Sequence, residues 1–216
     1  MNLATWSAFL AASLVCIATP GPDSLGVLGM GFSRGRRSAL WFALGVGAGC
    51  LTHTLWASLG IAALVAASPA LFSALKGLGA LYLLWMAWGL WRSANSSSAL
   101  VERDGTTSSD ATTLFRQGLL SNALNPKVML FFIAFLPQFV STSGLPIAAQ
   151  LVLFGITFAL LTTLAYSFLA LGASRVGTTL RQRPWVERVI NRLCAFLFAG
   201  LAARLLWPES TSSSRP

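Results

Sequence analysis

The sequence predicts an all-α polytopic membrane protein: six transmembrane helices in a 3+3 inverted-topology repeat, with helices 1 and 4 broken by proline. Three observations carry this. Of 216 residues, 55% are hydrophobic and only 10% charged, and the mean hydropathy is +0.70; a soluble domain carries about a quarter charged residues. Six apolar segments can be drawn, and about 20 residues are enough to span a bilayer core. The first and fourth segments are longer than that, and each has a proline motif near its middle.

The first segment covers 4–31. Its opening "MNLATWSAFLAASLVCIA" has no Lys or Arg ahead of the apolar run, which a secretory signal needs, so it reads as a retained first helix. "TPGPDS" interrupts it. The second segment, 39–65, contains "GVGAG", small residues suited to close helix packing, and His53, the single histidine. The third covers 69–91. A polar Ser/Thr-rich stretch at 92–112 reads as a cytoplasmic loop and marks the midpoint. The fourth segment, 113–140, is interrupted by "NALNPKVM"; the fifth and sixth cover 147–172 and 189–207. The tail 208–216, "PESTSSSRP", reads as disordered. The chain is thus one membrane domain, with repeat one at about 4–91 and repeat two at about 113–207.

The net charge of +9 would suggest nucleic acid in a soluble protein. Here the basic residues cluster in alternate gaps, so topology accounts for them and nucleic-acid binding is excluded. Arg34, Arg36 and Arg37 lie between segments 1 and 2, Arg92, Arg103 and Arg116 around the midpoint loop, and Arg175, Arg181, Arg183, Arg188 and Arg192 between segments 5 and 6. By the positive-inside rule these three gaps are cytoplasmic and both termini are not. Trp6, Trp41, Trp56, Trp91, Trp185 and Trp207 fall near helix ends, as an interfacial belt would. Cys16, Cys50 and Cys194 are widely spaced in apolar runs, with neither a CxxC nor a metal-ligand pattern.

Pro20 and Pro126 stand 106 residues apart, and at the same offset Phe9 meets Phe115 and Gly49 meets Gly155. Three helices per half is an odd number, so the second half enters from the opposite face, a plan frequent in secondary transporters. Proline removes a backbone donor, and carbonyls freed near the midplane must line a cavity rather than meet lipid. Pro20, Gly21, Pro22 and Asp23 in one break, and Asn122, Asn125, Pro126 and Lys127 in the other, therefore form a candidate substrate or proton pathway, with His53 nearby. Half-helix N-termini suit a carboxylate and freed carbonyls suit an ammonium, so a zwitterionic amino acid offers both ends. Charges inside a membrane persist when paired or used. Asp23 and Lys127, each just after a breaking proline, read either as an ion pair locking the halves or as a substrate or proton site. His53 reads as a helix–helix hydrogen bond or a proton-handling group.

"TPGPD" at 19–23, Gly35-Arg36-Arg37 with the following "LGVGAG", "LKGLGALYLLWMAWGLWR" at 75–92 and, most specifically, "FRQGLLSNALNPKVMLFFIAFLPQFV" at 115–140 resemble the LysE/RhtB family of amino-acid exporters. The likeness covers nearly the whole chain apart from 93–112 and the tail. It implies a secondary transporter, not an enzyme, in the bacterial cytoplasmic (inner) membrane. The resemblance further implies export of small amino acids driven by the membrane potential or proton gradient, with no cofactor, metal or prosthetic group. Some relatives carry an acidic residue in the fifth helix; here Thr162, Thr163 and Tyr166 are its main polar groups, which points to neutral substrates. Small-residue faces permit a homodimer.

Competing functions fit less well. A thiol–disulfide carrier needs a reactive cysteine in each half, yet Cys16 maps onto Asn122. A Ser24–His53 hydrolase lacks a GxS motif. An exporter of an inorganic or metal cation on a similar scaffold stands as the alternative, though one His and one Asp make a poor divalent site.

Overall fold

The computed structural model describes residues 3–61, 69–93, 110–141, 144–182 and 184–206; the predicted midpoint loop (but for its ends), the tail, Arg103 and Trp207 lie outside them. Those residues form helices and no strands. α1 (Leu3–Ala18) and α2 (Pro22–Ser33) are separated by the Thr19–Gly21 break and bent by 51°. α3 (Gly35–Trp56) continues as a π-helical turn, Ala57–Ile61. α4 is Pro69–Ser93. α5 (Ala111–Ala123) and α6 (Pro126–Leu130) are bent by 48° about the second break. Beyond Leu130 the chain goes on as a π turn (Phe131–Phe135) and a 3₁₀ turn (Leu136–Phe139). α7 is Ile147–Gln182 and α8 is Pro184–Leu206.

Two helical stretches, Gly35–Gly60 and Ile147–Ala173, are long and apolar enough to cross a membrane, and each bent pair adds one if it counts as a single span. The described residues thus hold two to four candidate spans. α4 and α8, of 25 and 23 residues, overlie the third and sixth apolar segments. Large apolar side chains face outward along these helices, among them Leu51, Leu81, Trp88, Leu160, Phe168 and Phe196. On a soluble protein such a surface would need a partner; on a spanning helix it meets lipid.

Two details differ from the sequence-based expectation. The basic stretch taken as the gap between segments 5 and 6 is largely helix. α7 runs 36 residues, about 54 Å at 1.5 Å per residue, well beyond a hydrocarbon core of about 30 Å. Its arginine-bearing end therefore prolongs the apolar part, because Arg is a good helix former. Likewise no loop separates α2 from α3. The chain turns at Arg34 and Gly35, whose φ of +82° is a left-handed conformation that only glycine takes at no cost. Trp6 is half-buried, with its ring 4.9 Å from that of Phe154.

α3 is the central element, packed on α2, α5 and α7, while α4 pairs with α8. Its "GVGAG" stretch does what small residues do in membrane packing. A Cβ on Gly45 would collide with the carbonyl oxygen of Phe115 in α5, and one on Gly118 of α5 would collide with that of Phe42 in α3. The two backbones touch reciprocally at that crossing. Gly47 faces Thr163 of α7 in the same way. Phe9, Phe131, Phe132, Phe135, Phe139, Phe154 and Phe158 build an aromatic core where α1, the end of the second bent pair and α7 meet.

Candidate functional site

The two breaks are built alike. Each second half-helix begins with proline at its first position, where the missing N–H has no helical acceptor anyway. In each, a charged residue follows: Pro22-Asp23 opens α2 and Pro126-Lys127 opens α6. The matching prolines are therefore Pro22 and Pro126, 104 residues apart, rather than Pro20 and Pro126. The caps differ. Asn125 caps α6 with its side-chain oxygen, which accepts from the Lys127 N–H at 3.0 Å. Gly21 has no side chain, so Ser24 supplies the cap: its hydroxyl oxygen accepts from the Gly21 N–H at 3.0 Å.

Across the breaks the charges exchange partners. Both oxygens of the Asp23 carboxylate are engaged by the other half: Oδ1 accepts from Ser121 Oγ at 2.9 Å, and Oδ2 accepts from the side-chain amides of Asn122 and Asn125, each at 2.8 Å. The Lys127 ammonium donates to the Thr19 carbonyl at 2.8 Å. That carbonyl lies just past the C-terminal end of α1, where helix carbonyls run out of intrahelical donors. Lys127 lies against Gly21, where an added Cβ would sit 3.1 Å from its Nζ. Asp23 and Lys127 are both buried, and among the described residues no hydrogen bond joins them to each other. Asn122 and Asn125 do not share a face of one helix: Asn122 lies at the end of α5 and Asn125 lies in the break as the cap of α6, yet both amides reach the same oxygen of Asp23.

His53 lies beside this network. Its Nε2 is 2.9 Å from the backbone oxygen of Asn122. A carbonyl only accepts, so Nε2 carries the proton. The ring also tilts onto Phe132, with centroids 5.6 Å apart. Ser24 and His53 bond to different partners, Gly21 and Asn122.

Between the breaks runs a narrow crevice, too tight as it stands for a water molecule. Asp23, Asn122 and Lys127 line it, with Cys16, Thr162 and Tyr166. Tyr166 donates to the Ile17 carbonyl at 3.3 Å, another backbone oxygen at the end of α1. Pro20, Gly21 and Pro22 shape the break rather than the crevice wall. Ser121 and Thr19 escaped the sequence reading as site residues. Ser121 adjoins Asn122 and Thr19 opens the TPGPD motif, so position was the only signal available.

Apolar helices of spanning length, two proline breaks and a buried carboxylate and ammonium on one crevice describe a membrane protein with a polar interior site. The chain belongs to the LysE type translocator family, whose family model matches residues 14–208. It is 31% identical over 203 residues to a leucine efflux protein of Enterobacter sp. (strain 638), covering 91% of this chain and 92% of that one. A leucine efflux protein of Klebsiella pneumoniae is 28% identical over 205 residues, 94% of each chain. An uncharacterised membrane protein of Pseudomonas aeruginosa is 32% identical over 204 residues, 93% of each. No solved structure matches the chain significantly.

Proposed function

We propose that the protein exports neutral, aliphatic amino acids of the leucine type from the bacterial cytoplasm across the inner membrane, through the crevice between its two breaks. The observation that carries this is the pair Asp23 and Lys127, both buried, on one crevice. Their groups are complementary to the ammonium and carboxylate of an amino acid. Membership of the LysE type translocators and the leucine efflux names of relatives support the same reading.

In this proposal the molecule has six spans, counting each bent pair as one and adding α4 and α8. They form two inverted repeats of three. Support comes from the near-equal bends of 51° and 48° and from the packing of α3 on α7 and α4 on α8, the pairs such a repeat relates. The arginines gathered between spans 1 and 2, 3 and 4, and 5 and 6 support an orientation with both termini outside the cytoplasm. Transport proceeds by alternating access: substrate carboxylate and ammonium displace Thr19 from Lys127, and Ser121, Asn122 and Asn125 from Asp23. Proton entry at Asp23 when substrate leaves would couple the cycle to the proton gradient.

Cells loaded with dipeptides, with and without the protein, test the reading. Efflux of leucine and similar neutral amino acids should rise on expression and fall when an ionophore collapses the proton gradient. No change across a broad amino-acid panel would refute export; change insensitive to the ionophore would refute proton coupling alone.

A further inference from the structure

The lining of the crevice divides by chemistry. Asp23, Asn122 and Lys127 are polar; Ile17, Val128 and Phe158 are apolar and almost fully buried. Among the described residues the Asn122 side-chain oxygen has no hydrogen-bond partner, although that residue is fully buried. An orphaned buried acceptor is costly and calls for a partner, and a substrate ammonium would be one.

The polar part engages groups that every α-amino acid carries, so it cannot tell one neutral amino acid from another. Choice falls to the apolar part. Ile17 and Val128 belong to the last turn of α1 and the first turn of α6, so the break geometry fixes where they stand. Phe158 comes from α7 and is braced by the turn that continues α6. Its ring stacks on Phe131 at 4.9 Å and 29°, and meets Phe132 edge-on at 5.2 Å and 85°. Aromatic rings held in such pairs resist displacement. A braced ring at the apolar side of a binding crevice acts as a size stop.

We infer that Phe158 is the specificity-determining residue of the transporter, setting the largest side chain it exports. This rests on the export reading above. The step is binding discrimination only: a side chain that meets the ring is excluded, and one that stops short of it is held against Ile17 and Val128.

The test compares initial efflux rates of alanine, leucine and phenylalanine, by wild type, Phe158→Ala and Phe158→Trp, in cells with matched membrane levels of each protein. A change of a methylene or more in an apolar pocket shifts discrimination by about tenfold or beyond. Phe158→Ala should raise the phenylalanine-to-leucine ratio by about tenfold, and Phe158→Trp should raise the alanine-to-leucine ratio by a similar factor. Rates that fall together with unchanged ratios would show that Phe158 only packs the core, and would overturn the inference. Should Phe158→Ala not reach the membrane, Phe158→Trp and Phe158→Leu decide by the same ratios. A wild type that exports none of the three refutes the export reading itself; an active wild type with unmoved ratios refutes the role of Phe158 alone.

Discussion

Lys127 donates a 2.8 Å hydrogen bond to the carbonyl of Thr19, although 108 residues and a helix break separate the two. The opposite charge, Asp23, is held in return by side chains flanking the break that Lys127 follows. Each half of the site thus secures the charged residue of the other.

Asp23→Asn keeps the shape but cannot accept from three donors, since one of its two polar atoms is itself a donor pair. At least one of Ser121, Asn122 and Asn125 then loses its acceptor, at a cost of about 1–3 kcal/mol. Amino-acid efflux should fall to the background of non-expressing cells while the protein still reaches the membrane. Wild-type efflux from Asp23→Asn would remove Asp23 from the transport path.

Lys127→Met removes the donor that satisfies the Thr19 carbonyl. The expected result is loss of efflux together with a lower melting temperature in detergent, because a buried acceptor is left unpaired. Lys127→Arg should keep more stability than Lys127→Met, since it retains a donor for Thr19. Equal melting temperatures for all three proteins would show that the contact contributes nothing.

His53 is expected to act as a fixed donor rather than a proton carrier. The Asn122 carbonyl that it meets also accepts from the Asn125 N–H at 2.8 Å, so losing the histidine costs only about 0.5–1.5 kcal/mol. His53→Gln, which keeps a donor, should transport with the pH dependence of wild type. A pH profile flattened in that variant would instead assign proton handling to His53.

The reciprocal contact of α3 and α5 leaves no room for side chains. Gly118→Val should depress folded yield, because overpacking a tight interface costs about 1–3 kcal/mol or more. Gly200→Ala, in an open position on α8, should be neutral or gain up to about 1 kcal/mol from helix propensity. Detergent-solubilised melting curves of the two variants check both expectations.

The breaks were legible in the sequence because proline, glycine and charge stand out inside apolar runs. For that reason Asp23, Asn122, Asn125 and Lys127 could be named before any fold was known. Their exchange of partners was not legible, since it depends on how two distant breaks meet. Thr19, Ser121 and Phe158 are ordinary residues whose importance comes only from what faces them. The fifth apolar segment, 147–172, agrees with the apolar stretch Ile147–Ala173, but the helix end at Gln182 was not legible, because hydropathy records where a helix leaves the hydrocarbon, not where it stops being a helix. The packing role of "GVGAG" was readable, because small residues spaced along a membrane helix have few other uses.

The central claim is that substrate occupies the crevice between the breaks, and Cys16, which lines it, offers a direct probe. In a transport-active Cys50→Ala, Cys194→Ala protein, Cys16 is the one thiol left to react with a small membrane-permeant maleimide. Leucine should slow that reaction in a concentration-dependent way, over the same range in which it saturates transport. Labelling of Cys16 that leucine leaves unchanged, in protein that still exports leucine, would place the substrate elsewhere and contradict the account.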